Sequence, residues 1–180
     1  MIHHRILPYA ACIVLFLVST PVVPEDEKKD NHSLFLFTVG DTLVNPENEK
    51  RDISYIAQQR YLLVYFSASW CAPCRKFTPL LVKFYKAKKT NHNFEVVLVS
   101  SDANEGAMLD YMKTDAMPWL AVRFSEDGAR NTLKQKYGGT GIPCLVLLNE
   151  NDEVVSDSYV NGKYVGPLKV LNDLNAALKR

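Results

Sequence analysis

The chain has 180 residues, 47% of them hydrophobic and 23% charged, enough apolar content to bury one good core without a second domain. A formal charge of +1, with no basic cluster beyond Lys83, Lys86, Lys88 and Lys89 on one helical face, gives no case for nucleic-acid binding. Those lysines read as the solvated face of an amphipathic helix, and no internal repeat or low-complexity tract divides the chain.

The N-terminus is a separate unit. His3, His4 and Arg5 precede an uninterrupted apolar stretch from Ala10 to Val18; Ser19 and Thr20 follow, and Pro21 to Pro24 gives way to Glu25-Asp26-Glu27-Lys28-Lys29-Asp30. That is the layout of a secretory signal peptide over residues 1–24, with the best cleavage position after Thr20 although no Ala-x-Ala site is present. Left uncleaved, residues 6–23 would form a short membrane tether. Either outcome makes the protein secreted, periplasmic or otherwise extracytoplasmic; the third reading is an unusual cytosolic N-terminus. Residues 25–33 then read as a flexible linker and 34–180 as the folded domain.

Within that domain Leu34 to Val39 is short and apolar and reads as a first strand, with Thr42 to Val44 and Asp52 to Tyr55 as further extended pieces. Tyr61 to Phe66 is a buried strand, and Arg75 to Lys89 carries Phe77, Leu80, Leu81, Phe84 and Tyr85 at helical spacing. The run Val96-Val97-Leu98-Val99 marks Phe94 to Ser100 as a central strand covered on both faces. Ala103 to Lys113 reads as helix, Trp119 to Val122 as extended and Ala129 to Tyr137 as helix. Cys144 to Leu148 and Val154 to Tyr159 pair across a turn at Asn149 to Asp152. Gly166 to Leu178 closes the chain as a helix with Leu168, Val170, Leu171, Leu174, Ala177 and Leu178 on one apolar face.

The chemistry lies in Trp70-Cys71-Ala72-Pro73-Cys74, between the buried strand and the long helix. Two thiols two residues apart can form a reversible disulfide, and the first can face the free N–H groups at the helix start, which favour thiolate over thiol. Half of a zinc site looks the same, but zinc needs about four ligands. Cys12 and Cys144 are isolated, and His3, His4, His32 and His92 do not supply a second pair at metal-binding spacing. By position Cys71 is the attacking thiolate and Cys74 the resolving thiol. Pro73 pre-sets helical geometry in the first turn, while Trp70 either limits access to the site or simply packs. Arg75 either adds positive charge near the thiols or is solvated.

A second signature lies downstream, where Tyr137-Gly138-Gly139-Thr140-Gly141-Ile142-Pro143 leads into the strand starting at Cys144. Together with the strand-WCxPC unit and Pro79, five residues after Cys74, it makes the chain resemble a thioredoxin-fold protein. That is an α/β fold with a central mixed sheet flanked by helices. The resemblance implies a cis Ile142-Pro143 bond in a loop that lies against the Cys71-Cys74 pair and offers backbone groups to substrate, and a kink at Pro79. The block from Phe66 to Pro79, the stretch Asn93 to Asp102 and Met117-Pro118-Trp119-Leu120-Ala121-Val122 are similar to tryparedoxins and nucleoredoxin-like proteins, over approximately Leu34 to Leu178. In that comparison the segment between central strand and cis-Pro loop is an addition to the minimal fold.

The resemblance implies a thiol–disulfide oxidoreductase, in the reductase direction because Ala72-Pro73 lacks the histidine of oxidising relatives. Its cofactor would be its own Cys71-Cys74 disulfide, without metal or organic group. Its partners would be protein or small-molecule disulfides and a separate electron donor. Substrate contact falls on Trp70, Ala72, Pro73, Ile142 and Pro143. Tyr65 stands where thioredoxins carry a buried aspartate, and a phenol with a pKa near 10 is a weak base at neutral pH. Asp102 is then a candidate proton acceptor, and Met117 and Trp119 either frame the site or fill the core. Cys144 reads first as a small buried apolar residue and second as a third redox centre. Two other functions fit: a periplasmic thioredoxin serving cytochrome maturation, and a non-catalytic binding module, which would have no need of an exposed dithiol.

Overall fold

The computed structural model describes residues 31–179, so the segment read as signal peptide or tether, and most of the linker, lie outside the described residues. Six strands form one sheet in the order β1-β4-β3-β2-β5-β6, where β1 is Leu43–Val44, β2 Tyr61–Ser67, β3 Phe94–Ser100, β4 Leu120–Val122, β5 Cys144–Leu148 and β6 Val154–Asp157. The pairs β2/β3 and β3/β4 are parallel, and β1/β4, β2/β5 and β5/β6 antiparallel. This is the mixed sheet expected of a thioredoxin fold.

Both faces of the sheet are covered. Along β2, Leu63 and Tyr65 enter the core that includes Phe77, Leu81, Met108, Trp119 and Leu174, whereas Leu62, Val64 and Phe66 enter the opposite core with Phe35, Leu133 and Tyr137. The period-two pleat sends neighbours to different layers, so a strand buried on both sides has no polar position to spare. The first layer is built by α2 (Ala72–Lys88), α3 (Glu105–Thr114) and α5 (Pro167–Ala177), the second by α1 (Ser33–Val39) and α4 (Asp127–Tyr137).

Leu34 to Val39, expected as a strand, is helix α1. A helix places Phe35 and Val39 four residues apart on one buried face and leaves Leu34 and Phe37 exposed. Its first amides are satisfied from a remote turn: Asp152 Oδ2 accepts from Leu34 N at 2.9 Å and Phe35 N at 3.0 Å. The other carboxylate oxygen lies 3.1 Å from Nδ1 of His32, whose Nε2 lies 3.2 Å from the Gln59 carbonyl oxygen. His32 is fully buried and Asn31 Nδ2 donates to the same Gln59 carbonyl, so the packed unit reaches back to Asn31, into the segment read as linker. Asp52 to Tyr55 is likewise not extended; Asp52 accepts from Ser54 N and Ser54 Oγ and starts a 3-10 turn over Ser54–Gln58.

The remaining elements fall where periodicity puts them, with three local differences. Leu168, read on the apolar face of α5, is half exposed and lies beside the exposed Leu80 of α2, while Val170, Leu171 and Leu174 are buried. Lys89 is not on a solvated face: its Nζ lies 3.2 Å from the buried Glu95 carboxylate and donates to the Phe94 carbonyl. A second small hairpin, β7 (Tyr159–Val160) and β8 (Lys163–Tyr164), turns through Asn161 and Gly162, both at positive φ (51° and 77°).

Asp152→Ala strands two amides and a buried imidazole at once. A loss of about 3 kcal/mol in urea unfolding is expected, and roughly half that for Asp152→Asn, which keeps an acceptor oxygen. A loss below about 0.5 kcal/mol for the alanine variant would show that this staple does not hold α1.

Candidate active site

β2 ends at Ser67 and the chain must turn into α2 within four residues, so the turn is anchored from the neighbouring strand end. Asp102, after β3, accepts from Ser69 N at 2.8 Å and Ser69 Oγ at 2.7 Å through one oxygen, and from Ser100 Oγ at 2.8 Å through the other. Trp70 Nε1 donates to the Ser101 carbonyl at 3.1 Å, which holds an indole that is 66% exposed. Asp102 therefore positions the turn, with both of its oxygens engaged there.

Cys71 is the N-cap of α2, and its Sγ accepts from the Cys74 amide at 3.2 Å. The two sulfurs are joined in a disulfide, with Cys71 5% exposed and Cys74 fully buried. Ala72 and Pro73 lie exposed in the first helical turn, where the missing Pro73 amide leaves no unmet bond. Pro79 sits inside α2 and withholds a donor from the Arg75 carbonyl. A thiolate at Cys71 would gain both the Cys74 N–H bond and the positive end of a 17-residue helix.

The Ile142-Pro143 bond is cis, and the Ile142 carbonyl oxygen lies 3.7 Å from Cys71 Sγ. Ile142 also packs on the small cluster of Ala68, Cys71 and Cys74. This loop is clamped from outside by the β7–β8 hairpin, which sequence reading missed. The Tyr164 hydroxyl donates to the Pro143 carbonyl at 2.8 Å, and the Tyr159 hydroxyl accepts from Gly141 N at 3.1 Å. The Tyr159 ring lies on Gly139, where a Cβ would come within 2.0 Å of it, and meets Tyr164 edge-to-face at 5.3 Å. Asn161-Gly162 between two tyrosine strands is a hairpin signal that could have revealed the clamp.

Beneath Cys74 lies a closed hydroxyl cluster. Thr78 Oγ1 donates to the Cys74 carbonyl at 3.0 Å and lies 2.9 Å from the Tyr65 hydroxyl and 2.6 Å from that of Tyr111. Ser67 Oγ closes the ring at 3.0 Å from both phenols. Five contacts compete for four hydroxyl protons, so no hydroxyl proton is left over. Burial first, then the neighbouring Tyr111, push the Tyr65 phenol far above its ordinary value, which leaves it a hydrogen-bonding group and not a base.

Other sequence candidates are placed differently. Arg75 turns to Asp115, with Nη2 3.5 Å from Oδ1, so its charge is directed to the end of α3 and not to the sulfurs. Trp119 is 1% exposed in the main core, edge-to-face with Tyr85, and Met117 is buried in the same cluster. Cys144 is buried and unpaired on the opposite core layer, and burial pushes its thiol up, against Gly139 N–H and Ser158 bonds that act the other way. Among the described residues no three His, Cys, Asp or Glu side chains converge as a metal site.

A cis-Pro loop against an N-capping dithiol on a mixed sheet defines the thioredoxin class, and the comparisons agree. A family model described as Thioredoxin-like matches residues 59–154, and the chain belongs to that family. Its relatives are nucleoredoxins and tryparedoxins. It is 46% identical to a tryparedoxin of Trypanosoma brucei brucei over 88 residues, 49% of this chain and 60% of that one. It is 41% identical to human nucleoredoxin over 111 residues, 61% of this chain and 23% of that one. A solved tryparedoxin II, complexed with glutathionylspermidine, superposes with a TM-score of 0.62 at 31% identity over 71% of this chain and 86% of that one. The chain spans between 23% and 32% of the length of the first nucleoredoxins it matches.

Two outcomes are expected from this geometry. In the reduced protein, iodoacetamide near neutral pH should alkylate Cys71 and spare Cys144 until denaturant is added, read by peptide mass mapping. Comparable labelling of both in the folded state would contradict the placement of Cys144. Tyr164→Phe, which removes the donor to Pro143, should lower kcat/KM for insulin reduction about fivefold, the equivalent of one lost hydrogen bond of roughly 1 kcal/mol. A lowered Tm with unchanged kcat/KM would leave Tyr164 a stability residue only.

Proposed function

We propose that the chain reduces disulfides of proteins or small molecules through Cys71 and Cys74, drawing electrons from a separate dithiol donor and requiring no metal or organic cofactor. The Cys71 thiolate attacks a substrate sulfur, the substrate S–S bond breaks, and one thiol leaves as a mixed disulfide forms. Cys74 then attacks the Cys71 sulfur, releases the second substrate thiol and leaves the Cys71-Cys74 disulfide; two electrons have passed to the substrate. Substrate backbone would lie along Ile142 and Pro143, with Trp70, Ala72 and Pro73 forming the rim.

The observation that carries this reading is the Cys71 sulfur, set as helix N-cap under the Cys74 amide and 3.7 Å from the Ile142 carbonyl oxygen. The tryparedoxin II complex with glutathionylspermidine supports a small-molecule disulfide among the substrates. The reductase direction is supported by the Ala72-Pro73 dipeptide, which lacks an acidifying histidine. An extracytoplasmic setting, secreted or tethered through residues 6–23, is supported by the pattern of the first 24 residues alone.

Insulin reduction with dithiothreitol as donor tests the assignment. Cys71→Ser should abolish turnover, whereas Cys74→Ser should accumulate mixed disulfides on non-reducing gels. Equal trapping by both variants would overturn the division of roles.

A further inference from the structure

Beside the dithiol, between Trp70 and the glycine-rich segment before the cis-Pro, lies an open cavity of about 240 Å³. Trp70, the neighbour of Cys71 in the chain, Ile142, which packs on the Cys71-Cys74 cluster, and Phe66 are among its lining residues. At below the roughly 300 Å³ of pockets for drug-sized ligands, it suits one arm of a small molecule. Glycines at 138, 139 and 141 leave one wall without side chains. At two of these positions packing demands it, since a Cβ at Gly138 would meet the Lys134 carbonyl oxygen at 2.5 Å and one at Gly139 the Tyr159 ring.

Lys134 is the one charged side chain lining this cavity. Among the described residues no carboxylate pairs with it. Burial disfavours its charge first and the Arg130 guanidinium second, with Asp127 acting the other way. Asp127 is itself held by Arg130 at 3.0 Å, and Asp102, the nearest acidic residue in sequence to the lining residue Ser101, is consumed by Ser69 and Ser100. A half-buried lysine without a paired carboxylate, on a cavity whose wall includes the Ile142 that packs on Cys71, is complementary to an anion attached to a disulfide.

We infer that this cavity takes the carboxylate-bearing arm of a low-molecular-mass disulfide, with Lys134 as the residue that makes the dithiol prefer anionic over cationic small disulfides. The inference rests on the thiol–disulfide exchange reading and adds a substrate class to it. The balanced step is R–S–S–R plus the Cys71 and Cys74 thiols giving two R–SH and the Cys71-Cys74 disulfide; two electrons and two protons move from protein to substrate.

Single-turnover oxidation of the pre-reduced full chain needs no donor and isolates the step. Glutathione disulfide (anionic), 2-hydroxyethyl disulfide (neutral) and cystamine (dicationic) serve as probes, each rate divided by that of dithiothreitol with the same disulfide. In the parent the normalised rates should fall in that order. Lys134→Glu should lower the glutathione-disulfide to hydroxyethyl-disulfide ratio about tenfold, as expected when one attractive charge contact becomes repulsive, and raise the cystamine ratio. Lys134→Arg should restore the parent ratios, and Lys136→Glu, the same charge change outside the cavity, should leave them within about twofold. Equal slowing with all three disulfides, or the same ratio shift in the Lys136 variant, overturns the inference. So does a Lys134 effect confined to insulin. A parent that reduces insulin but not glutathione disulfide removes this inference alone; one inert toward every disulfide removes the exchange reading beneath it.

Discussion

The contact on which the site depends is the 3.2 Å hydrogen bond from the Cys74 amide to the Cys71 sulfur. It makes a sulfur do the work that Ser, Thr, Asp or Asn usually does at a helix start, and a neutral thiol does that work poorly. A thiolate does it well, because an ionised acceptor roughly doubles the strength of a hydrogen bond and also meets the positive end of the helix. The bond is therefore worth most in the reactive state, and folding of α2 and activation of Cys71 become the same event. Everything near it serves to keep the turn between β2 and α2 in that one geometry. Asp102 holds Ser69, Ser101 holds the Trp70 indole, and the hydroxyl cluster ties Thr78 to the Cys74 carbonyl one turn further on.

The opposite wall of the site is fixed by different means. A loop of three glycines and a proline has little side-chain surface with which to hold itself. The β7–β8 hairpin resolves this from behind: Tyr159 and Tyr164 take the Gly141 amide and the Pro143 carbonyl, and leave the Ile142 carbonyl facing Cys71. The glycine at 139 is thus a packing requirement imposed by the Tyr159 ring.

Much of this was legible in the sequence, for identifiable reasons. The buried strands β2, β3 and β5 are continuous apolar runs, the helices carry a clean period, and the dithiol and Gly-Ile-Pro units are local signals. What failed was non-local. A short run such as Leu34 to Val39 fits strand or helix equally, and the deciding group, Asp152, lies more than a hundred residues away on a hairpin turn. The placement of Arg75 against Asp115 and of Trp119 against Tyr85 depends on how α2, α3 and β4 pack, which no window of residues contains. Nothing in the sequence pattern singles out Lys134, which the fold places with Trp70 on the lining of one cavity.

The exchange of a buried carboxylate for hydroxyls sharpens the difference between the two cysteines. A charged aspartate beneath Cys74 would have to be desolvated, and would accept the proton of the resolving thiol. The Tyr65, Ser67, Thr78 and Tyr111 cluster is neutral, internally satisfied and buried, so it adds stability without offering a base. Cys74 is fully buried next to it, while Cys71 has the amide and the helix end. When a mixed disulfide forms at Cys71, the sulfur no longer carries the charge that its N-cap bond favoured. Attack by Cys74 then restores the intramolecular disulfide beside the same amide. In the proposed reaction the proton that Cys74 must shed would find no acceptor in the hydroxyl cluster, so it would pass to the departing substrate thiolate on the open side of the site. A thiolate leaving group is itself a competent base for a thiol, which would let a substrate close the proton balance of its own reduction.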